Sequence, residues 1–369
     1  MKQSQLILSV VLLGAVAALV VWARGRVHFD FAVFRSQVGQ ADWRKIAVAV
    51  GCIYLAYGFR SARWALLLRH NRKVPLFSLV GTQVIGFTAV ALIGRVADLV
   101  RPYLVAKKTG LPVSSQIAVY IVERLLDAGS MALVFSIAMF WVPTSDIIQA
   151  TAHSGSMSHL TANHPFLGLL VVRYGGLALT LFGALFLIAI RVAGEAVAIF
   201  FERTLGTISS RLGASVGSKI RTFHSGLDTM RSFSDFAAAA SLSLGMWLLI
   251  SFAYLETFRA FAASPELASV SLPKCVLLMI ASGSASIIQL PVIGWFSQIG
   301  IVMLVLIRVL GASAEAATAC AATLLLVTFI SIVPVGLVWA QVDHISLRKV
   351  ASESEQAGEG LSENEAPKH

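Results

Sequence analysis

Charge is what this sequence has least of. Only 13% of its 369 residues are Asp, Glu, Lys or Arg, about half the share of a soluble globular chain. Cysteine is equally scarce. Cys52, Cys275 and Cys320 all lie in apolar stretches, which excludes a disulfide framework and reads as three small buried hydrophobes. No Walker loop, dinucleotide fingerprint or HExxH motif occurs, so nothing supports ATP-driven or zinc-dependent hydrolytic chemistry. His153, His159 and His164 cluster in one loop without ligand spacing, and no metal or cofactor is expected. The chain is therefore not read as an enzyme.

What is present is hydrocarbon. The composition is 57% hydrophobic and the mean hydropathy is +0.80. Apolar runs at 5–23, 46–68, 76–94, 116–142, 166–190, 235–262, 274–310 and 316–342 are long enough to span a bilayer, which takes about 20 helical residues. The fold class expected is all-α, polytopic and membrane-embedded, with about eight transmembrane or re-entrant segments. The first run resembles a signal peptide. It is longer than an ordinary h-region and lacks a good cleavage site, so it reads as a retained helix.

Lys and Arg in short loops set the orientation. The loop 143–165 holds none and is expected outside, whereas 191–234 holds six and is expected in the cytoplasm. Basic loops at 60–73 and 95–108 flank 76–94 on the same side, so that segment reads as a re-entrant hairpin. The run 274–310 is too long for one span and is interrupted at Gln289–Gly294, where Pro291 removes a helical donor. It reads as a second hairpin entering from the other face, and the two together would form an inverted repeat. One conflict stands: the 24–45 loop, with five basic and two acidic residues, comes out external on this count.

The expected domains are a membrane unit over 1–343 and a disordered acidic tail over 344–369, which carries five of the 19 acidic residues. Within the membrane unit, 191–234 alternates apolar and basic residues at helical spacing. It reads as an amphipathic helix on the anionic leaflet or packed on the bundle. The basic excess, a net charge of +10, points to anionic lipid headgroups and away from nucleic acid. An inner-membrane location with a cytoplasmic tail is expected.

The charges that do occur in apolar surroundings are the candidate site. Arg95, Asp98 and Arg101 lie three apart, and Glu123, Arg124 and Asp127 share one stretch of the following helix, with Tyr120 one turn earlier. A charge in hydrocarbon costs several kcal/mol unless paired or wetted. Three arginines and three carboxylates would balance. Such pairs either tie two helices together or exchange a carboxylate for a lipid phosphate, which the planar guanidinium binds in two places. Gln289, Pro291, Gly294 and Gln298 mark the second candidate, a broken helix that could line a polar slot. Its neighbouring serines, Ser282, Ser284 and Ser286, are read first as close-packing residues.

The sequence Gly94-Arg95…Asp98…Arg101, then Leu111-Pro112, then Glu123-Arg124-Leu-Leu-Asp127 and a late Pro291…Gly294 resembles the lysylphosphatidylglycerol synthase transmembrane family. The resemblance spans about 5–342. In that family the first motif reads Pro-x-Arg-x-Gly-Glu-x-x-Arg; here Ala97-Asp98 replaces Gly-Glu and no proline precedes Arg95. The late motif carries an acid where Gln298 stands. The resemblance implies a flippase-like membrane domain without the aminoacyltransferase domain of larger members. It implies transport of a phospholipid, polyprenyl phosphate or related anionic amphiphile. A non-transporting partner of a glycosyltransferase or lipid-modifying enzyme is the alternative. An intramembrane acid–base pair of Glu123 and Asp127 ranks below both, because the adjacent arginines would keep both carboxylates ionised.

Overall fold

In a computed structural model, residues 29–69, 72–145, 165–207, 209–227, 233–283 and 293–364 are described. The first apolar run therefore lies outside the described residues, as do Gln289 and Pro291. All regular structure in the described part is helical: α1 (Phe31–Gly39), α2 (Trp43–Leu68), α3 (Leu76–Ile93), α4 (Val100–Thr109), α5 (Val113–Trp141), α6 (Pro165–Gly206) and α7 (Ser210–Leu227). There follow α8 (Phe233–Arg259), α9 (Leu272–Gly283), α10 (Ile293–Val305), α11 (Ala314–Leu325), α12 (Ile332–Val342) and α13 (Leu347–Asn364). Leu76–Ile93, Ser234–Arg259 and Ala314–Val342 are each long and apolar enough to cross a membrane. The last of these joins α11 and α12 through a wider π turn at Leu326–Ile330.

The central pair is α2 and α8, packed antiparallel along their whole length. At one end the backbone N–H of Asp42 donates to Ala260 O at 2.8 Å, and Lys45 Nζ donates to Arg259 O at 3.1 Å. At the other end Arg69 pairs with Asp235. This second end also gathers Arg72 and Lys108, and is called the basic end below.

From the basic end α3 enters the bundle and stops at Gly94, whose φ of 92° suits a residue without Cβ. A 3-10 turn over Arg95–Leu99 reverses the chain, and α4 packs back beside α3. Lys108 Nζ reaches Ser78 O at 3.4 Å, and Arg72 donates to Thr109 O, so the chain leaves where it entered. The hairpin is therefore not folded within 76–94 as expected. Residues 76–93 form one continuous helix, and the return arm is the stretch read as a basic loop, with Arg101 wholly buried in it. The broken apolar run forms the second hairpin, α9 and α10, which starts and ends at the opposite end of the bundle.

The contacts follow a two-fold pattern. Pairing α2 with α8, α3 with α9, α4 with α10 and α5 with α11–α12 maps neighbours onto neighbours. The first hairpin packs on α12 and the second on α5; α4 lies on α5 as α10 lies on α11. Each hairpin thus leans on the final span of the other half, and the halves run in opposite directions. That is the arrangement of an inverted repeat. Close approach holds one of these seams: a Cβ on Gly336 of α12 would collide with Thr88 of α3.

Two stretches differ from expectation. The 191–234 region is two helices, not one. The end of α6 continues past an irregular Ala193 to Gly206, and α7 folds back upon it. The turn is possible because Gly213 lies against the backbone of Glu202 and Gly206, and Arg221 bridges Glu195 at 2.9 Å and Glu202 at 2.5 Å. The hydrogen bond from Arg221 holds the Glu202 carboxyl below its ordinary pKa. The acidic tail, expected to be disordered, forms α13. Leu347, Val350 and Ala351 fall on one face, and they pack on Ala97, Val100 and Leu104 of the first hairpin. Three apolar residues at helical spacing suffice there because the hairpin supplies a ready surface.

Candidate functional site

The site is assembled by four helices about one third of the way in from the basic end. Helix α2 buries a stripe at spacings of three and four: Ile46, Ala49, Ile53, Tyr57, Arg60, Trp64 and Leu67, with Arg63 beside it. Two arginines therefore sit on a core-facing surface, where apolar side chains are the rule. On α5 the same geometry turns Glu123 and Asp127 inward. Helix α4 returns Arg101, and α3 contributes Gln83 and Phe87. Gly86 makes that return possible, since a Cβ there would occupy the position of Arg101 Cγ.

Glu123 is the centre. Its Oε1 lies 3.1 Å from Arg60 Nη1, 3.1 Å from Arg63 Nη2, 3.1 Å from Arg101 Nη1 and 2.8 Å from Arg124 Nη2. Its Oε2 accepts from Trp64 Nε1. Asp127 takes Arg63 Nη1 at 2.5 Å and Arg124 Nη2 at 3.2 Å. Arg63, Arg101 and Glu123 are wholly buried, whereas the Arg124 side chain is 41% exposed. Aromatic faces complete the shell. The Phe87 ring lies between the guanidinium carbons of Arg60 and Arg101, at 4.7 and 4.4 Å, and Tyr120 faces Arg101 and Arg124 at 5.1 Å each. Cation–π contact of this kind is worth about 0.5–2 kcal/mol per pair. Tyr120 thus meets the two arginines with its ring face.

The balance differs from the sequence reading. Four arginines meet two carboxylates, an excess of two positive charges among the described side chains. Asp98 sits half-buried in the 3-10 turn, with no ion pair to a described side chain, and the side chain of Arg95 lies outside the described set. Arg60 and Arg63 were assigned to a basic loop; they fall inside α2 because that helix runs on to Leu68. Their position on the apolar stripe was the available signal. Several donors are left over. Arg101 Nε and Nη2, Arg124 Nε and Gln83 Nε2 are buried without a hydrogen-bond partner in the structure, and Arg63 Nη2 sits off the bonding direction to Glu123. Unmet buried donors cost about 1–3 kcal/mol each, more when charged.

Arg60 also lines a cavity of about 580 Å³ between the two halves. Its walls come from Ile53, Phe87, Met131, Trp247, Met279 and Phe329, among others, and are overwhelmingly apolar. Phe87 lines this space and also faces Arg101, whose guanidinium carbon lies 4.4 Å from its ring centre. The chemistry available is recognition of an anion whose remainder is hydrocarbon.

Of the second candidate, Gly294 opens α10 with its surroundings outside the described set. Gln298 is half-buried within α10, and no described hydrogen bond joins it to the arginines. No group of three metal-ligating side chains occurs among the described residues. Gly213-Ala-Ser-Val-Gly217 has the spacing of a hydrolase nucleophile motif, but it lies inside α7 and not on a strand-to-helix elbow, so it carries no nucleophile.

A sequence model described as the lysylphosphatidylglycerol synthase TM region matches residues 6–336. No curated protein and no solved structure matches the chain.

Proposed function

The chain belongs to the lysylphosphatidylglycerol synthase TM region family, and from that premise we propose that it is a lipid transporter moving a phosphate-bearing amphiphile between leaflets. The observation that supports this reading is the buried surplus of guanidinium donors on Arg63, Arg101 and Arg124, next to Arg60, which shares Glu123 with them and lines an apolar cavity between the two halves. Arginine recognises phosphate through its planar fork, and the cavity offers the acyl chains a path that excludes water. Opposed hairpins are the means by which inverted-repeat transporters expose one site to either face. The basic end, where Arg69, Arg72, Lys107 and Lys108 collect, faces the cytoplasm on the charge rule, and α13 starts beside it, just after Asp343 meets Lys108 at 3.4 Å.

The test is reconstitution. The purified protein in liposomes should move fluorescently tagged phosphatidylglycerol or phosphatidate to the reductant-accessible leaflet at least tenfold faster than empty liposomes. A rate equal to that of empty liposomes, together with a stable glycosyltransferase or lipid-modifying enzyme in the native membrane preparation, would establish the scaffold alternative instead.

A further inference from the structure

We infer that the arginine cluster is matched to a headgroup carrying two negative charges, a terminal phosphate monoester on a lipid, rather than to a singly charged phosphodiester. This rests on the transporter reading above and specifies the ligand of the same site.

The first ground is charge. Arg60, Arg63, Arg101 and Arg124 face Glu123 and Asp127, which leaves two positive charges. The other described side chains in contact with them are uncharged: Tyr57 and Trp64 from α2, Gln83 and Phe87 from α3, Tyr120 from α5 and Ser243 from α8. Asp235, the acid at the start of α8, is engaged by Arg69. One of these charges is carried among the wholly or nearly buried Arg60, Arg63 and Arg101, where an uncompensated ion is costly even after relaxation. The other is carried at the rim by Arg124, whose side chain is 41% exposed. A ligand that reaches from the buried arginines to Arg124 and brings the total to zero satisfies the site best. A phosphodiester supplies one charge and leaves the surplus half met. A zwitterionic headgroup supplies none.

The second ground is the donor inventory. The unpartnered polar atoms of Arg101, Arg124 and Gln83 are all N–H donors. A phosphate monoester presents three terminal oxygens that only accept, and it carries between one and a half and two charges near neutral pH because its second pKa is about 6. A diester has two such oxygens. The four unpartnered nitrogens of Arg101, Arg124 and Gln83 are thus served by more acceptor oxygens in the monoester than in the diester. The third ground is position: Arg60 lines both the cluster and the apolar cavity, so the phosphate would be the terminal group of an amphiphile whose chains lie among Ile53, Met131 and Met279.

The experiment measures dissociation constants of the full-length protein in detergent for dioctanoyl phosphatidate, phosphatidylglycerol and phosphatidylcholine, and for inorganic phosphate, at pH 7.5 and pH 5. Phosphatidate should bind at least tenfold more tightly than phosphatidylglycerol at pH 7.5. At pH 5, where the monoester has regained one proton and carries close to a single charge, that advantage should shrink to about twofold or less. No histidine or lysine is among the side chains that form the described cluster, and phosphatidylglycerol controls for titration of Glu123 or Asp127. Arg101→Gln, and independently Arg60→Gln, should remove most of the phosphatidate advantage.

Equal affinity for the two phospholipids at pH 7.5, with both lost in Arg101→Gln, overturns the two-charge inference and leaves the phosphate-site reading standing. Affinities indifferent to both substitutions overturn both. Inorganic phosphate binding as tightly as phosphatidate would show that a soluble anion, not a lipid, is the ligand.

Discussion

Glu123→Gln is expected to cost about 3–5 kcal/mol of stability, the effect of removing one partner from a buried ion cluster. Four guanidinium groups converge on one oxygen of this carboxylate, and three of them have almost no access to solvent. Glutamine keeps the shape and an acceptor oxygen. It withdraws the charge and presents an amide donor to groups that are all donors. The surplus then rises to three positive charges within one helix junction. Thermal unfolding in detergent should show a midpoint lower by roughly 10 °C, or loss of monodisperse protein. Arg124→Gln is the internal comparison. Its side chain is 41% exposed, so it should cost far less. Equal midpoints for Glu123→Gln and the wild type would mean that the cluster does not hold α2, α4 and α5 together.

Arg101→Gln should have the opposite profile. It lowers the surplus charge by one, so the folded state loses repulsion along with its contacts to Glu123, Gln83 and Phe87. Stability should stay within about 1–2 kcal/mol of the wild type, because the lost bonds and the relieved repulsion offset each other. Transport should fall at least tenfold. Arg101 by itself contributes two unpartnered nitrogens, Nε and Nη2, from a wholly buried side chain, and a hydrogen bond to a charged group contributes about 1.5–3 kcal/mol. Losing even one such bond to a phosphate oxygen is worth more than a factor of ten. Liposome transport rates set beside unfolding midpoints check the prediction. A destabilised protein that still moves lipid normally would assign Arg101 to the scaffold.

The comparison of sequence with structure turns on where each kind of signal resides. That the chain returns near 76–94 was legible because loop charge is local, but where it turns was not. Residues 76–93 form one helix ending at Gly94, and the return arm 100–109 reads as a basic loop because Arg101, Lys107 and Lys108 mask its buried face. Glu123 and Asp127 were legible as an inward pair because their spacing of four fixes a shared face. Arg60 and Arg63 were not, since a run of arginines near a helix end reads as a loop unless the apolar stripe is followed through it. Trp64, Gln83 and Phe87 carry no charge to draw attention, and only the packing of α3 against α2 and α4 makes them partners of the arginines. Helix α13 was hidden for a related reason. Its composition is that of a solvated tail, and its three apolar residues count only because the first hairpin offers them a surface. The charge balance was beyond reach in the sequence, because it depends on which of many arginines converge.

A photoreactive benzophenone side chain introduced at Met131, on the wall of the central cavity, would test the account most directly. In proteoliposomes containing phosphatidate, it should cross-link to the acyl chain of that lipid, and the cross-link should disappear when Arg101→Gln is added. A cross-link that survives Arg101→Gln, or that forms as readily with diacylglycerol of the same chains, would contradict the claim that the arginine cluster draws a phosphate-bearing lipid into this path.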